Sequence, residues 1–192
     1  MKVVDIIFAL VCGRIVAQIA HDFLKGYGLE IGYLKWFLYF TLPIFSLFFL
    51  WLAYLIGKKL LFVFQAAKYI LVGLFVTIVD LKLFELLVWA LSPVMSKGLS
   101  FLTSVIIKYW GNKLWTFEKP EKENIAQEIL QFIIVTIVGL GIDIGSFFYF
   151  TKIMSPQFGA PEDIWIKLSV IFAALAAAAW NFLGYKFLVF KK

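Results

Sequence analysis

Four polar residues of this chain lie inside long apolar stretches, and their types suggest chemistry with charged groups. They are Asp80, Lys108, Asp143 and Asn181. A charged side chain in the interior of a bilayer is costly unless it pairs with another group, so such residues are functional candidates. A carboxylate can bind protons or cations, whereas a lysine can bind a phosphate through charge-assisted hydrogen bonds. We therefore take these four as candidate substrate-binding residues.

A purely structural interpretation of the same residues is equally open. Asp80 and Asp143 each share a helix face with a threonine and a glycine, so they could form interhelical hydrogen bonds that only hold the helices together. Lys108 either neutralises Asp80 or Glu85, or it binds a substrate phosphate. Our hypothesis is that Lys108 pairs with Asp80 in a closed state and binds phosphate in an open state. Lys82 and Glu85 are three residues apart and are expected to pair with each other.

Two short segments at the ends of apolar stretches predict an entrance for a lipid headgroup. Their residues are Asn112, Lys113, Trp115, Tyr185 and Lys186. Trp and Tyr favour the membrane interface, and Lys favours anionic headgroups. Anchoring of the helix ends is the plainer interpretation. The alternative is that Lys113 and Lys186 gather a phosphate while the aromatic rings stack on a sugar.

The elements that must position these residues are transmembrane helices. Of the 192 residues 63% are hydrophobic, and the mean hydropathy is +0.94. Soluble domains are nearer half apolar, so an ordinary soluble enzyme, a disordered protein and a disulfide scaffold are excluded. Five apolar stretches are long enough to cross a bilayer: residues 36–56, 69–91, 98–117, 129–151 and about 164–190. A sixth, residues 3–24, either crosses with its polar face turned to protein or lies at the interface. We favour crossing, which predicts an all-α polytopic bundle of six helices.

Charge and composition set the orientation and the kinds of site to expect. Lysines cluster after residue 57, near residue 120 and at the C-terminus, and the positive-inside rule places these regions in the cytoplasm. The single Cys12 cannot form an internal disulfide, and the single His21 anchors no metal cluster. We expect no metal, no cofactor and no nucleic-acid partner. The longest water-exposed stretches are too short for a catalytic domain, which argues against an enzyme.

The chain contains an internal repeat. Residues 108–119 align with the C-terminal residues 181–192, and Asp80 aligns with Asp143, with a longer loop in the second copy absorbing the difference in spacing. Each copy is a pair of helices that starts and ends on the same side, so the copies are parallel repeats. We therefore predict an N-terminal helical pair, residues 1–65, and a four-helix domain, residues 66–192, made of repeats 66–119 and 128–192.

Residues 66–192 resemble the GtrA family of small membrane proteins. The resemblance rests on Gly73 and Asp80 within an apolar span, and on the Asn-Lys-x-Trp-Thr-Phe ending at residues 112–117. The second copy of that ending departs from the pattern, with Tyr185 in place of the Asn and Leu188 in place of the Trp. The resemblance implies a role in moving polyprenyl-phosphate-linked sugars across the cytoplasmic membrane, beside a separate glycosyltransferase.

The expected function is therefore flipping of a polyprenyl-phosphate-linked monosaccharide for cell-surface polysaccharide or glycan synthesis. A non-transporting membrane partner or anchor of a glycosyltransferase is the alternative. A small proton-coupled cation exporter using Asp80 or Asp143 ranks third, because Lys108 and the basic entrances suit an anion better. Expected partners are the lipid-linked sugar, membrane lipids and a membrane glycosyltransferase, with oligomers allowed. The expected location is the cytoplasmic membrane, multi-pass, with a cytoplasmic C-terminus.

Overall fold

The computed structural model describes residues 1–26, 32–120, 124–154, 156–157 and 161–191, and these contain helices and no strand. The α-helices of the described residues are α1 (Val3–Gly26), α2 (Leu34–Gly57), α3 (Leu61–Leu87), α4 (Pro93–Gly111), α5 (Ile125–Phe148) and α6 (Glu162–Gly184). Three of them continue into π-helical segments: π1 (Asn112–Thr116), π2 (Tyr149–Ile153) and π3 (Tyr185–Val189). The prediction of an all-α bundle of six helices is confirmed.

Three helices within the described residues are long and apolar enough to cross a membrane. They are Leu34–Gly57, Ile125–Ile153 and Leu168–Val189. The sequence suggested more, but α3 carries Asp80, Lys82 and Glu85 in its second half, and α1 and α4 are also richer in polar residues. Crossing by α1, α3 and α4 therefore stays a prediction. The apolar helices are mostly exposed, as expected when lipid is their solvent.

The contacts divide the chain into two units, Met1–Glu118 and Lys119–Lys192. The first unit contains α1 to α4 with π1, and the second contains α5, π2, α6 and π3. The N-terminal helical pair thus belongs to the same unit as the first repeat. The predicted boundary after residue 65 separates the N-terminal helical pair from the four-helix domain, and it stays a prediction.

Close packing joins α1 to α2 in the first unit. A Cβ atom on Gly13 would lie 2.5 Å from the Cα of Pro43, so only glycine allows this approach. Ala9, Cys12, Leu50, Ala53, Ala67 and Leu71 form the adjacent core. The Arg14 guanidinium lies 3.5 Å from the centre of the Tyr39 ring, a cation–π contact that accommodates the polar face of α1.

A buried ion-pair cluster ties the start of α1 to α3 and π1. Lys68 Nζ lies 3.0 Å from Asp5 Oδ1, and the two side chains are only 2% and 1% exposed. The Trp115 indole donates to the same Asp5 oxygen at 2.8 Å. Glu118 accepts from Lys68 at 3.0 Å and from Lys2 at 2.8 Å. We call these five residues the Asp5–Lys68 cluster, and it fixes the N-terminal helix to the end of the first repeat.

The two units share local structure at the positions that repeat in sequence. π1 follows α4 and π3 follows α6, and in each case a π-helical hydrogen bond closes the segment, from Phe117 N–H to Asn112 O and from Phe190 N–H to Tyr185 O. The glycine before each segment packs on a valine of the preceding helix, Gly111 on Val72 and Gly184 on Val135. The same helix-to-helix contact therefore occurs once in each unit.

Breaking the Asp5–Lys68 pair is expected to destabilise the protein strongly. Removing one partner of a buried ion pair leaves an uncompensated charge and costs about 3–5 kcal/mol. Asp5→Asn and Lys68→Met should each lower the Tm measured by thermal unfolding in detergent. Asp5→Asn combined with Lys68→Met should lose less stability than the sum of the two single losses. The exposed Lys82–Glu85 pair is the matched control, since Lys82→Met should cost less than about 1 kcal/mol. Equal losses for the buried and the exposed pairs would contradict this assignment.

The Glu118 pair is expected to make stability depend on pH at both extremes. Burial alone would raise the pKa of Glu118, but the hydrogen bonds and attraction of Lys2 and Lys68 outweigh it and hold that pKa below its ordinary 4.5. The hydrogen bond to Glu118, with the attraction of that carboxylate, raises the pKa of Lys2 above 10.5. The ion pair therefore contributes fully to the free energy of unfolding between pH 4.5 and pH 10.5, the ordinary pKa values of the two groups. This contribution is lost as pH falls through the pKa of Glu118 or rises through the pKa of Lys2.

Thermal unfolding of wild type and Glu118→Gln across a pH series checks this expectation. The difference in Tm should be constant near neutral pH and should shrink at acid pH, where the wild-type carboxylate is also neutral. A difference that grows on acidification would show that the sign is wrong.

The two glycine–valine contacts are expected to differ in how well they tolerate an added methyl group on the glycine. A Cβ on residue 184 would lie 2.5 Å from Val135 Cγ1, whereas one on residue 111 would lie 3.2 Å from Val72 Cγ1. Gly184→Ala should therefore lower the free energy of unfolding by about 1–3 kcal/mol through overpacking, and Gly111→Ala by less. Adding Val135→Ala should recover part of the loss in Gly184→Ala. Equal effects at the two glycines, or no recovery, would argue against a steric origin.

Candidate functional site

One ridge of α4 and π1 is polar along its whole length. It has a polar residue at every fourth position: Ser96, Ser100, Ser104, Lys108, Asn112 and Thr116. Residues four apart are neighbours on a helix surface, so these side chains form a continuous line. All are buried except Lys108, which is half-buried. We call this line the polar ridge. It faces protein and not the surroundings.

The half of the polar ridge around Lys108 contains buried polar atoms with unmet hydrogen-bonding capacity. Ser104 Oγ, Asn112 Oδ1 and Thr116 Oγ1 have no hydrogen-bond partner among the described residues. The Asn112 amide nitrogen donates to the Lys108 carbonyl at 2.8 Å, which leaves its oxygen as the open group. Buried polar atoms are nearly always hydrogen-bonded, so these atoms mark a place for water or a polar ligand. Two hydroxyls and an ammonium can bind phosphate, and the amide oxygen can accept from a sugar hydroxyl.

The other half of the polar ridge contacts Asp80 of α3 through Ser100. The predicted pair of Asp80 and Lys108 is wrong for this structure. Asp80 Oδ2 lies 2.5 Å from Lys97 Nζ, and Ser100 Oγ donates to Asp80 Oδ1 at 2.7 Å. Asp80 lies near the end of α3 and Lys97 lies near the start of α4, so they meet beside the turn between these helices. Lys108 lies in the last turn of α4 and not mid-helix as predicted. Eleven residues separate it from Lys97, or about 16 Å along the axis.

The exposed ion pair between Lys82 and Glu85 matches the sequence prediction. Lys82 Nζ lies 2.8 Å from Glu85 Oε2 within α3. Glu85 is therefore paired within its own helix, which leaves Lys108 to other partners.

The second unit repeats the burial of the ridge but not its chemistry. The matching residues of α6 and π3 are Ser169, Ala173, Ala177, Asn181, Tyr185 and Val189, and all are buried. Asn181 packs against Gly139, where a Cβ atom would collide with its side chain. Its Oδ1 atom has no hydrogen-bond partner among the described residues. Asp143 is half-buried one helical turn beyond Gly139 on the same face of α5, and its role as a substrate-binding residue stays a prediction.

Most of the residues predicted to form a headgroup entrance are buried. Asn112, Lys113 and Tyr185 have no exposed surface. Lys113 Nζ lies 3.4 Å from the Tyr109 hydroxyl, and the Tyr185 hydroxyl lies 2.7 Å from Thr136 Oγ1. A π-helical segment has more residues per turn than an α-helix, so it shifts the register and can turn these side chains inward.

The aromatic residues of the predicted entrance are also engaged within the protein. The Tyr185 ring stacks on Phe132 at 4.7 Å, and the Trp115 indole is bound to Asp5. These rings are therefore not placed to stack on a sugar in this structure. Lys186 is half-exposed, with its Nζ 5.7 Å from the centre of the Phe187 ring. Its role at an entrance stays a prediction.

The sequence interpretation missed three parts of this arrangement. The serines of the polar ridge recur every four residues, and this period is a signal in the sequence itself. Lys97 fell outside the predicted span 98–117, although Ser92 as a capping residue followed by Pro93 marks the true start of α4. The Asp5–Lys68 contact joins residues far apart in sequence and has no local signal. Among the described residues, no group of three or more His, Cys, Asp and Glu side chains could hold a metal ion.

Comparison with known proteins places the chain in a family. The family model "GtrA/DPMS, transmembrane domain" matches residues 68–190. A relative in Bacillus subtilis (strain 168), the uncharacterized membrane protein YwcD, is 30% identical over 128 residues, which cover 65% of this chain and 94% of YwcD. No solved structure matches the chain. The chain is therefore a membrane protein of the GtrA/DPMS transmembrane domain family, whose domains take part in handling lipid-linked sugars.

Proposed function

We propose that the protein flips a polyprenyl-phosphate-linked monosaccharide across the cytoplasmic membrane, for the synthesis of a cell-surface polysaccharide or glycan. The observation that carries the proposal is the polar ridge of α4 and π1, in which Lys108 is flanked by Ser104 and Asn112, whose Oγ and Oδ1 atoms have no hydrogen-bond partner among the described residues. No hydrolysis chemistry is needed, because the lipid tail stays in the bilayer and only the headgroup has to cross it.

The length of the polar ridge supports this use. Ser96 and Thr116 are 20 residues apart, or about 30 Å along the axis, which is the thickness of a bilayer hydrocarbon core. A phosphate and sugar moving along such a line would have polar groups beside them throughout the crossing. These contacts would replace the water that the headgroup loses, which is what lowers the barrier to flipping.

Each part of the headgroup has a matching group on the ridge. The Lys108 ammonium carries a positive charge for the phosphate, and the hydroxyls of Ser104 and Thr116 can donate to phosphate oxygens. The Asn112 oxygen can accept from a sugar hydroxyl. Asp143 and Asn181 are further candidates for sugar contacts in the second unit, and Lys186 is a candidate for drawing in the phosphate. The lysine clusters favour a cytoplasmic C-terminus, with the lipid-linked sugar entering from that side.

The two other functions differ in what they require of these residues. A cation exporter needs a carboxylate available to its substrate, but both oxygens of Asp80 are bound by Lys97 and Ser100, which argues against a cation site there. A non-transporting partner of a glycosyltransferase needs no polar ridge, so the buried unpartnered atoms would have no purpose in it.

Purified protein in liposomes containing a short-chain polyprenyl-phosphate hexose tests the proposal. The measurement is the rate at which the sugar becomes reachable from outside. Wild type should exceed protein-free liposomes, and Lys108→Met should slow flipping about 10- to 100-fold, the equivalent of one charge-assisted hydrogen-bonding contact. Lys82→Met removes an exposed lysine outside the ridge and should leave the rate unchanged. Wild-type flipping in Lys108→Met would overturn the role of the ridge, and no acceleration by folded wild type would favour the glycosyltransferase partner.

Ser104→Ala with Thr116→Val gives an independent prediction in which stability and activity change in opposite directions. These changes remove buried hydroxyls without partners among the described residues, so the Tm in detergent should rise or stay equal. The flipping rate should fall, because two donors to the phosphate are lost. A fall in both quantities would indicate that the hydroxyls are structural.

A further inference from the structure

We propose that Lys97 forms a second binding position for the phosphate of the same lipid, at the turn between α3 and α4. The inference rests on the proposed function and adds a residue and a site to it. Asp80 acts here as the positioning residue of Lys97 and not as a ligand of the substrate. The ligand class is an anionic prenyl lipid, with its phosphate on the ammonium and its chain in the neighbouring apolar cavity.

The Lys97 ammonium is held in place but remains accessible. One Nζ contact goes to Asp80 Oδ2, and Ser100 fixes the second oxygen of that carboxylate. The Lys97 side chain is 55% exposed, whereas Asp80 is only 19% exposed. An ammonium has three N–H groups, so the ion pair leaves donors directed toward the exposed side. A phosphate oxygen can therefore bind without the lysine leaving Asp80.

An apolar cavity that is shallow and largely open to the surroundings lies beside this ammonium. It has a volume of about 580 Å³ and is lined by Phe84, Pro93, Val94, Lys97, Gly98 and Phe101. Nothing lies within 4 Å of the position that a Cβ on Gly98 would take, so this wall of the cavity is open. Among the described residues of the lining, Lys97 is the only charged one. The charge and the apolar walls together match an anion that carries a hydrocarbon chain. Free phosphate would contact the charge but would gain nothing from the apolar walls.

The site lies at the opposite end of α4 from Lys108. Trp89, in the turn before α4, is 90% exposed, as expected for an aromatic residue at the membrane interface. Lys97 adjoins Ser96 and Ser100, so one lysine lies beside the start of the polar ridge and another, Lys108, lies within its second half. In the second unit the positions matching Lys97 and Ser100 are Val170 and Ala173. The two-lysine arrangement therefore belongs to the first unit.

Asp80 and a bound phosphate compete for the same positive charge. Asp80→Asn removes the competing negative charge but keeps the shape and a hydrogen-bonding group, so it should strengthen phosphate binding at Lys97. Lys97→Met should abolish that binding. If the salt bridge had only a structural role, the two substitutions would not change phosphate binding in opposite directions, because both would simply destabilise the protein.

Native mass spectrometry of detergent-purified full-length protein tests the proposal, with geranyl phosphate as the probe and geraniol as its uncharged control. Wild type should bind two geranyl phosphate molecules, and Lys97→Met and Lys108→Met should each bind one. Lys97→Arg should keep two, which separates loss of charge from loss of fold. Asp80→Asn should bind the probe about threefold or more tighter, in line with removal of a nearby charge. Lys82→Met and Glu85→Gln alter the exposed pair of α3 and should behave as wild type.

The outcomes separate this inference from the proposed function. Two molecules bound to folded Lys97→Met, or weaker binding by Asp80→Asn, would overturn the Lys97 site even if liposome flipping is normal. Loss of one molecule in Lys97→Met together with no flipping by wild type would keep the site and overturn the flippase. Displacement of the probe from Lys97 by an equal amount of phosphatidylglycerol would overturn the prenyl lipid as occupant and identify a bilayer lipid instead. Equal binding of geraniol and geranyl phosphate would overturn recognition of the phosphate.

Discussion

The structure depends on one constraint: the hydrocarbon core of a bilayer offers no hydrogen-bonding groups, so the protein must supply a partner for each charged group that lies there. The first unit meets this constraint in two ways. Lys68 is enclosed by Asp5, Glu118 and the Trp115 carbonyl, so its charge is fully used in holding helices together. Lys97 is bound on one side and open on the other. The difference between an enclosed and an open lysine separates the structural cluster from the candidate site.

The sequence was sufficient for the helices but not for their ends. Apolar stretches of bilayer length predict helices with little ambiguity, because few soluble arrangements could use them. The predicted stretch 69–91 begins just after Lys68, because a lysine is typical of the flank of an apolar span and not of its interior. In the structure α3 begins at Leu61, and Lys68 lies within it, because Asp5 and Glu118 neutralise the lysine.

The partners of the charged residues were harder to predict than the residues themselves. Asp80 was identified as a candidate from its apolar surroundings, yet its partner depends on where the chain turns between α3 and α4. A turn at residues 88–92 brings Lys97 to Asp80 and takes Lys108 to the far end. The polar ridge, by contrast, could have been predicted from its four-residue period alone. The Asp5–Lys68 cluster could not, since it joins three distant parts of the chain.

The Asp5–Lys68 cluster also has a consequence for how such a chain can change its length over time. The B. subtilis relative is only slightly longer than the 128 residues that match, which leaves little room for two further helices. In this chain, the buried Lys68 of α3 would lose its partner Asp5 if α1 were absent. Loss of α1 alone would leave the buried Lys68 with only the partly exposed Glu118 as its carboxylate partner, so replacement of Lys68 would be favoured at the same time. The N-terminal helix α1 is therefore coupled to the core through a buried charge and is not a detachable extension.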